Sequence, residues 1–449
     1  TAALSEFADL VLEVSLDHLT HREFIWEIHN SYFHSKNDFP TSIIGSAKKV
    51  GLVGIAMGKL GGKELNYSSD IDLIFFFDES QFKPYFYAEV RSIFIKIIRN
   101  LVKLLSEVTP DGYVFRVDLR LRPDPSSNPI CIGLASAERY YESYGRNWER
   151  AAFIKARPAA GAIKKGLKFL YRLEPFIWRK NLDFSAIEDT EQMLDKIRDS
   201  ETLGLESEIL GYDIKNSFGG IREIEFFAQT RQLIWGGRDK TLRSSSTVHA
   251  LKSLSKATIL NESESLNLIK YYRKLRNVEN RLQLLDDAQT HSIPKEFEKA
   301  RCVSYLSSNS DANEFLNELE LCLNQVKKIT SQFFESELKE PSIKKFGSES
   351  FAYDTTFMSY LKKWESYSVL RSDRATRLFL TLVPIIFERI CLLTNPHEVL
   401  FQFDRFLFKM VGGVQIFSLL SVNPKILHLL MDIFNSARPL GDYLSKNTS

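Results

Sequence analysis

Residues Gly58 to Asp72 read Gly-Lys-Leu-Gly-Gly-Lys-Glu-Leu-Asn-Tyr-Ser-Ser-Asp-Ile-Asp and lead straight into the apolar segment Leu73 to Phe77. A glycine turn is thus followed by two carboxylates, one residue apart, at the mouth of a buried strand. Alternate side chains of a strand point to opposite faces, so Asp70 and Asp72 share one face while Ile71 and Leu73 enter the core. Two like charges held that close repel each other and raise a pKa unless a cation sits between them. A hard divalent ion such as Mg2+, with its preference for oxygen ligands, suits that place. The chemistry suggested is nucleotidyl transfer.

A third acid strengthens this reading. Tyr113 to Arg122 alternates with period two, which predicts a strand with Tyr113, Phe115, Val117, Leu119 and Leu121 on one face. The other face carries Val114, Arg116, Asp118, Arg120 and Arg122. Placed beside the strand after Asp70, Asp118 completes a cage of three carboxylates, in which two Mg2+ ions could clamp the attacking and leaving oxygens of a phosphoryl group. Arg120 and Arg122 would neutralise phosphate charge as planar forks.

Gly-Gly, a short spacer, Asp-x-Asp and a later strand aspartate resemble the polymerase-beta-like nucleotidyltransferase superfamily. The wording from Met57 to Ile74 more closely resembles the bifunctional glutamine synthetase adenylyltransferase/adenylyl-removing enzymes. Arg116-Val-Asp-Leu-Arg-Leu-Arg-Pro123, Gly145-Arg-Asn-Trp-Glu-Arg150 with Lys155-Ala-Arg-Pro158, and Gly219-Gly-Ile-Arg-Glu-Ile-Glu-Phe226 match the same family in order. The chain departs from the family at Ala160-Gly161-Ala162, where a carboxylate is usual, and at Lys215-Asn-Ser217, where Lys-Leu-Gly is usual.

The resemblance implies an α+β fold, mostly α overall: a small mixed-sheet nucleotidyltransferase domain followed by helical bundle domains. Enzymes of this family carry two catalytic units, one removing AMP from a tyrosine of glutamine synthetase and one adding it. Ser68 to Asp72 and Gly219 to Phe226 follow the removing version, so the chain resembles the deadenylylating amino-terminal half alone. The implied reaction is phosphorolysis: orthophosphate attacks adenylylated glutamine synthetase, giving ADP and the unmodified enzyme. Asp70, Asp72 and Asp118 would hold Mg2+, or Mn2+ in its place. The implied partners are glutamine synthetase, the PII signal protein, ATP or ADP with phosphate, and a carboxy-terminal adenylyltransferase half. ATP-dependent adenylylation and a non-catalytic PII-sensing half remain alternative readings.

Other site assignments have competing readings. The Gly61-Gly62 turn suits a phosphate-facing loop, although the spacing is not that of a P-loop. Ser69 either adds a hydroxyl there or caps local backbone. Lys155 and Arg157 either meet nucleotide or inorganic phosphate, or belong to a solvated face in which Glu149 pairs with an arginine. Gly219-Gly220 opens a helix, whose amino-terminus favours anions; Arg222 and Glu225 either serve the site or bind two domains together. The eight histidines show no ligand spacing, and Trp148, Trp178 and Trp235 read as core anchors.

The 449 residues predict two or three domains. A formal net charge of +2 advertises neither nucleic acid nor a membrane surface. The four cysteines, Cys131, Cys302, Cys322 and Cys391, lack zinc or disulfide spacing and read as buried thiols of a reducing cytoplasm. No apolar run approaches a membrane span, and the opening Thr1-Ala-Ala-Leu suggests a trimmed fragment. Periodicity predicts helices over Leu4 to Phe33 and Tyr85 to Val108, the latter burying Val90, Phe94, Ile97, Ile98, Leu101, Leu104 and Leu105. Leu52 to Met57 reads as a strand, and the chain reads as almost wholly helical from Ala135. The expected domains are 1–173, 174–338 (an antiparallel bundle) and 351–449, with a linker over Lys339 to Ser350.

Overall fold

The computed structural model describes residues 1–26, 32–34, 42–179, 209–286, 288–308, 311–337, 355–364, 366–370, 373–410, 416–417, 420, 424–436 and 440. The expected linker lies outside them. By contacts the chain divides into two compact units, Thr1–Phe333 and Phe334–Ser449, so the first holds the expected catalytic domain and most of the expected bundle.

The first unit opens with α1 (Ala2–Trp26) and the short α2 (Ser46–Lys49), then β1 (Leu52–Ala56), the single turn α3 (Gly58–Gly61) and β2 (Ile71–Phe77). After α4 (Tyr87–Ser106) come β3 (Val117–Asp118), β4 (Cys131–Gly133), α5 (Leu134–Ser143), α6 (Asn147–Phe153), β5 (Arg157–Gly161), α7 (Ile163–Arg172) and α8 (Glu174–Ile177). The five strands form one mixed sheet in the order β3-β2-β1-β5, with β4 also on β2. β1 is antiparallel to β2 and β5, while β3 and β4 run parallel to β2. The fold is therefore α+β and mostly helical, as expected.

Alternation along β2 builds both faces of the sheet. Ile71, Leu73, Phe75 and Phe77 join the core beneath α1 and α4, so the expected inward direction of Ile71 and Leu73 holds. Ile74 and Phe76 point the other way, with Val53, Ile55 and Met57, into a second core against α5 to α8. Asp72 belongs to that second face by parity.

Several expected elements differ. The Tyr113 to Arg122 alternation yields a strand of only two residues, Val117–Asp118; Tyr113 is exposed, Phe115 alone of that face is buried, and Arg122 folds back onto loop carbonyls. On α4 the buried stripe includes Ile93, and Leu104 is exposed. The strand β5 interrupts the stretch read as helical from Ala135. β5 contains Pro158, which a sheet tolerates at an edge, and among the described residues β5 pairs with β1 alone, at the end of the sheet order. Cys302 and Cys391 are exposed, unlike the buried Cys131 and Cys322.

The described residues that follow in the first unit form α9 (Ile221–Trp235), α10 (Thr247–Lys256), α11 (Glu262–Asp286), α12 (Phe297–Ser308) and α13 (Ala312–Glu337), whose last turn passes the unit's boundary. α9 packs on α10, α11 and α6, which seats this helical segment against the sheet domain. The second unit contains α14 (Thr355–Trp364), α15 (Asp373–Cys391), α16 (Pro396–Lys409) and α17 (Pro424–Ser436) around an aromatic core. At its centre Asp404 accepts hydrogen bonds from Trp364 Nε1 at 3.0 Å, Tyr367 Oη at 2.7 Å and Lys363 Nζ at 2.8 Å. Among the described residues no helix is long and apolar enough to cross a membrane.

Candidate active site

The parallel pairing of β2 and β3 sets Asp72 directly beside Asp118, and Ile71 beside Val117. Asp70 immediately precedes β2. All three acids line one cleft of about 1030 Å3 with Gly58, Lys59, Ser69, Arg120, Trp148, Lys155, Lys215, Arg222 and Glu225. This cleft lies wholly within the first unit, between the sheet domain and the helical segment.

The acids are differently partnered. Asp70 accepts from Arg116 Nε at 2.8 Å and Gln289 Nε2 at 3.2 Å. Asp118 is gripped by the Arg120 guanidinium, with Nε at 2.9 Å and Nη2 at 2.6 Å from Oδ2. Burial works to raise the Asp118 pKa, yet that fork holds it below the usual carboxylate value. The Asp72 carboxylate has no hydrogen-bond or ion-pair partner among the described residues. Burial, then repulsion from Asp118 and Asp70, pushes its carboxyl up to about 6. A half-buried carboxylate beside two others, without a cation of its own, is the donor set that a hard divalent ion fits. Among the described residues no three acidic, histidine or cysteine side chains yet stand close enough to share an ion. To do so, Asp118 and Asp70 would have to turn from Arg120 and Arg116.

The glycines are arranged differently from the expected phosphate loop. A Cβ on Gly61 would sit 2.1 Å from the Lys155 carbonyl oxygen, and one on Gly62 3.2 Å from the Ser245 carbonyl oxygen. Both are buried where backbones cross, and neither lines the cleft. Gly58 does. Its φ is +52°, and a Cβ there would lie 2.5 Å from Asp72 Oδ2. Sequence reasoning placed Gly58 at the head of the glycine turn but assigned only Gly61 and Gly62 to the site, although its position just after β1 was the available signal.

Lys155 and Glu225 line the cleft but are bound to each other at 2.8 Å. Lys155 also donates to Glu64 at 3.3 Å, and Glu225 accepts from Arg276 Nη2 at 2.8 Å and Tyr272 Oη at 3.2 Å. Burial opposes both charges; even so, Glu225, Tyr272 and Glu64 drive the Lys155 pKa up, and Lys155 and Arg276 drive that of Glu225 down. Glu225 therefore ties the two parts of the unit together. Arg157 is absent from the cleft: it donates to Asp9 at 2.8 Å and to the Leu60 and Gly61 carbonyls at 2.9 and 3.2 Å. Arg122, likewise outside the cleft, braces the loop through the Leu119, Pro125 and Asn128 carbonyls. Glu149 accepts from the Arg146 backbone at 2.7 Å and caps its own helix. Ser69 Oγ accepts from Lys59 Nζ at 3.3 Å. Trp178 is a core residue, whereas Trp148 is half-buried in the cleft wall and Trp235 is half-buried.

A group that sequence reasoning missed is centred on Glu279 of α11, whose side chain is fully buried. It accepts from Lys59 Nζ at 3.0 Å, Asn66 Nδ2 at 2.6 Å and Arg276 Nη1 at 2.7 Å. One turn on, Gln283 Oε1 accepts from the Ser68 backbone at 3.2 Å. The loop that carries Asp70 is thus held at residues 59, 66, 68 and 70 by side chains of the helical segment.

A mixed sheet that brings paired strand acids into a cleft walled by helices defines a protein of the nucleotidyltransferase class. Residues 1–172 match the family model for glutamate-ammonia ligase adenylyltransferase, and residues 190–334 match that for GlnD PII-uridylyltransferase. The chain belongs to the family of bifunctional glutamine synthetase adenylyltransferase/adenylyl-removing enzymes. It is 37% identical to such an enzyme from Rhizobium meliloti over 99% of this chain and 46% of the relative. The Bartonella quintana relative is 39% identical over 89% of this chain and 43% of its own length. For Rhodopseudomonas palustris the figures are 39%, 88% and 42%. The chain spans somewhat under half the length of these relatives.

Proposed function

We propose that this chain removes AMP from a tyrosine of glutamine synthetase by phosphorolysis. The observation that carries the reading is the register of β2 and β3, which pairs Asp72, a half-buried acid whose carboxylate has no partner among the described residues, with Asp118 beside a cleft large enough for a nucleotide. The wording of Ser68 to Asp72 and of Gly219 to Phe226 favours removal over addition. Matches to relatives named for both activities support a glutamine synthetase substrate. The match of residues 190–334 supports regulation through PII.

In the reaction an orthophosphate oxygen bonds to the α-phosphorus as the bond from phosphorus to the tyrosine oxygen breaks. ADP leaves, and the phenolate takes a proton from water. Asp70, Asp72 and Asp118 would hold Mg2+, which when bound neutralises charge on the attacking and leaving oxygens. Arg120 lies beside Asp118 and is largely exposed, so it can swing from that carboxylate to a phosphate. The Glu279 group keeps the acid-bearing loop in one arrangement, as a catalyst that works by positioning requires.

Adenylylated glutamine synthetase, phosphate and Mg2+ incubated with the chain test the reading. ADP release that Asp72→Asn abolishes supports it. Labelling of glutamine synthetase from ATP assigns addition instead, and neither activity with PII binding retained assigns a sensing half.

A further inference from the structure

Lys155 and Arg157 use their donors inside the protein, so the phosphate must find other cations in the cleft. Lys59, Lys215 and Arg222 line it together. Lys59 Nζ and His291 Nδ1 meet the same Glu279 oxygen at 3.0 and 3.3 Å, and His291 Nε2 lies 3.1 Å from Lys215 Nζ. The backbone joins the third cation to the second, because Arg222 N donates to the Lys215 carbonyl at 3.0 Å where the chain enters α9. Arg222 Nη1 donates to Asn216 Oδ1 at 3.0 Å; among the described residues its Nε and Nη2 have no acceptor. Lys215 likewise has donors beyond its contact with His291.

The electrostatics agree with this geometry. Burial, and then neighbouring cations that include Lys215, lower the Lys59 pKa to about 8. Burial also lowers that of Lys215, with Arg276 and Arg222 adding to the effect. Cations that repel one another in a cleft wall are relieved by an anion of more than one charge. Both lysines line the same cleft as the three acids.

We propose that Lys59, Lys215 and Arg222 form a subsite for a tetrahedral phosphate dianion in the same cleft as the three acids. Its assignment to free orthophosphate rests on the phosphorolysis reading; the same chemistry would suit a phosphate of a bound nucleotide. Titration calorimetry of the 449-residue chain with inorganic phosphate, and separately with AMP, distinguishes the sources. Lys215→Ala and Arg222→Ala should each weaken phosphate binding about tenfold, the loss of one charge-assisted contact, and Lys215→Arg should restore it. AMP affinity unchanged in both variants assigns free orthophosphate; AMP weakened in parallel assigns the nucleotide. Arg222 is exposed, so its variant keeps the fold and the test stands if Lys215→Ala misfolds. No phosphate binding by the wild-type chain, or equal binding by both variants, overturns the subsite. Phosphate binding lost in the variants, with no ADP released by the wild type, leaves the subsite standing and removes the reaction. ADP release with an unchanged phosphate KM in both variants does the reverse.

Discussion

Glu279 Oε1 and Lys59 Nζ meet at 3.0 Å although 220 positions separate them in the chain. Their contact fastens the loop between β1 and β2 to α11. Burial opposes the Glu279 charge, but Arg276, His291 and Lys59 hold its pKa far below the ordinary value, so it stays ionised and fully enclosed. Removing it leaves Lys59 without its carboxylate partner and Arg276 with Glu225 alone, which costs about 3–5 kcal/mol for a buried pair. Glu279→Leu should lower the unfolding free energy by that order in a urea titration. Glu279→Gln keeps the shape and should cost less. A Leu variant as stable as the parent would show that the group holds nothing in place.

Asp72 supplies a prediction with a definite sign. Its carboxyl titrates near 6 in the fold, against 3.8 for an ordinary aspartate. The folded state therefore loses stability relative to the unfolded one as pH rises through that interval. Asp72→Asn removes the burden, so it should match the parent below pH 3.8 and exceed it above pH 6 by on the order of 3 kcal/mol. Mg2+ at pH 7.5 should raise the melting temperature of the parent and leave the Asn variant unmoved. A variant less stable than the parent at pH 7.5 would refute the account of a repelled, uncompensated acid.

The acid pair and β2 were legible because alternation and a doubled carboxylate are local signals. β5 was not: Pro158 and a run of small residues hide a strand whose only neighbour among the described residues is β1. The ten-residue alternation around Asp118 overstated a strand of two residues, since Arg122 turns back to satisfy loop carbonyls. Gly61 and Gly62 announced tight backbone without revealing what approaches it, the Lys155 and Ser245 carbonyls. Lys155, Glu225 and Glu279 have partners fixed by packing between remote segments, which no spacing in the sequence encodes.

Arg157 separates bracing from phosphate binding. Its guanidinium joins Asp9 of α1 to the Leu60 and Gly61 carbonyls and lines no part of the cleft. Arg157→Ala should lower stability by about 1–3 kcal/mol, in the range for hydrogen bonds to a charged group, and leave the KM for phosphate unchanged. A raised phosphate KM in a variant of unaltered melting temperature would return Arg157 to the site.

Gly58 should be as necessary as an acid, for a steric reason. Its φ of +52° lies in the left-handed region, and a Cβ there would press within 2.5 Å of Asp72 Oδ2. The backbone penalty for Gly58→Ala is about 1–2 kcal/mol. The clash adds little to that, because a carboxylate can swing aside, but it moves Asp72 away from Asp118. The expected result is a modest fall in stability with at least a tenfold fall in kcat, about the rate cost of 1.4 kcal/mol in the transition state. Gly112→Ala is the matched control: its φ is +93°, and a Cβ meets nothing within 4 Å. That variant should show the backbone penalty alone and normal turnover. Equal kinetic losses in the two variants would mean that strain, rather than displacement of Asp72, governs the Gly58 position.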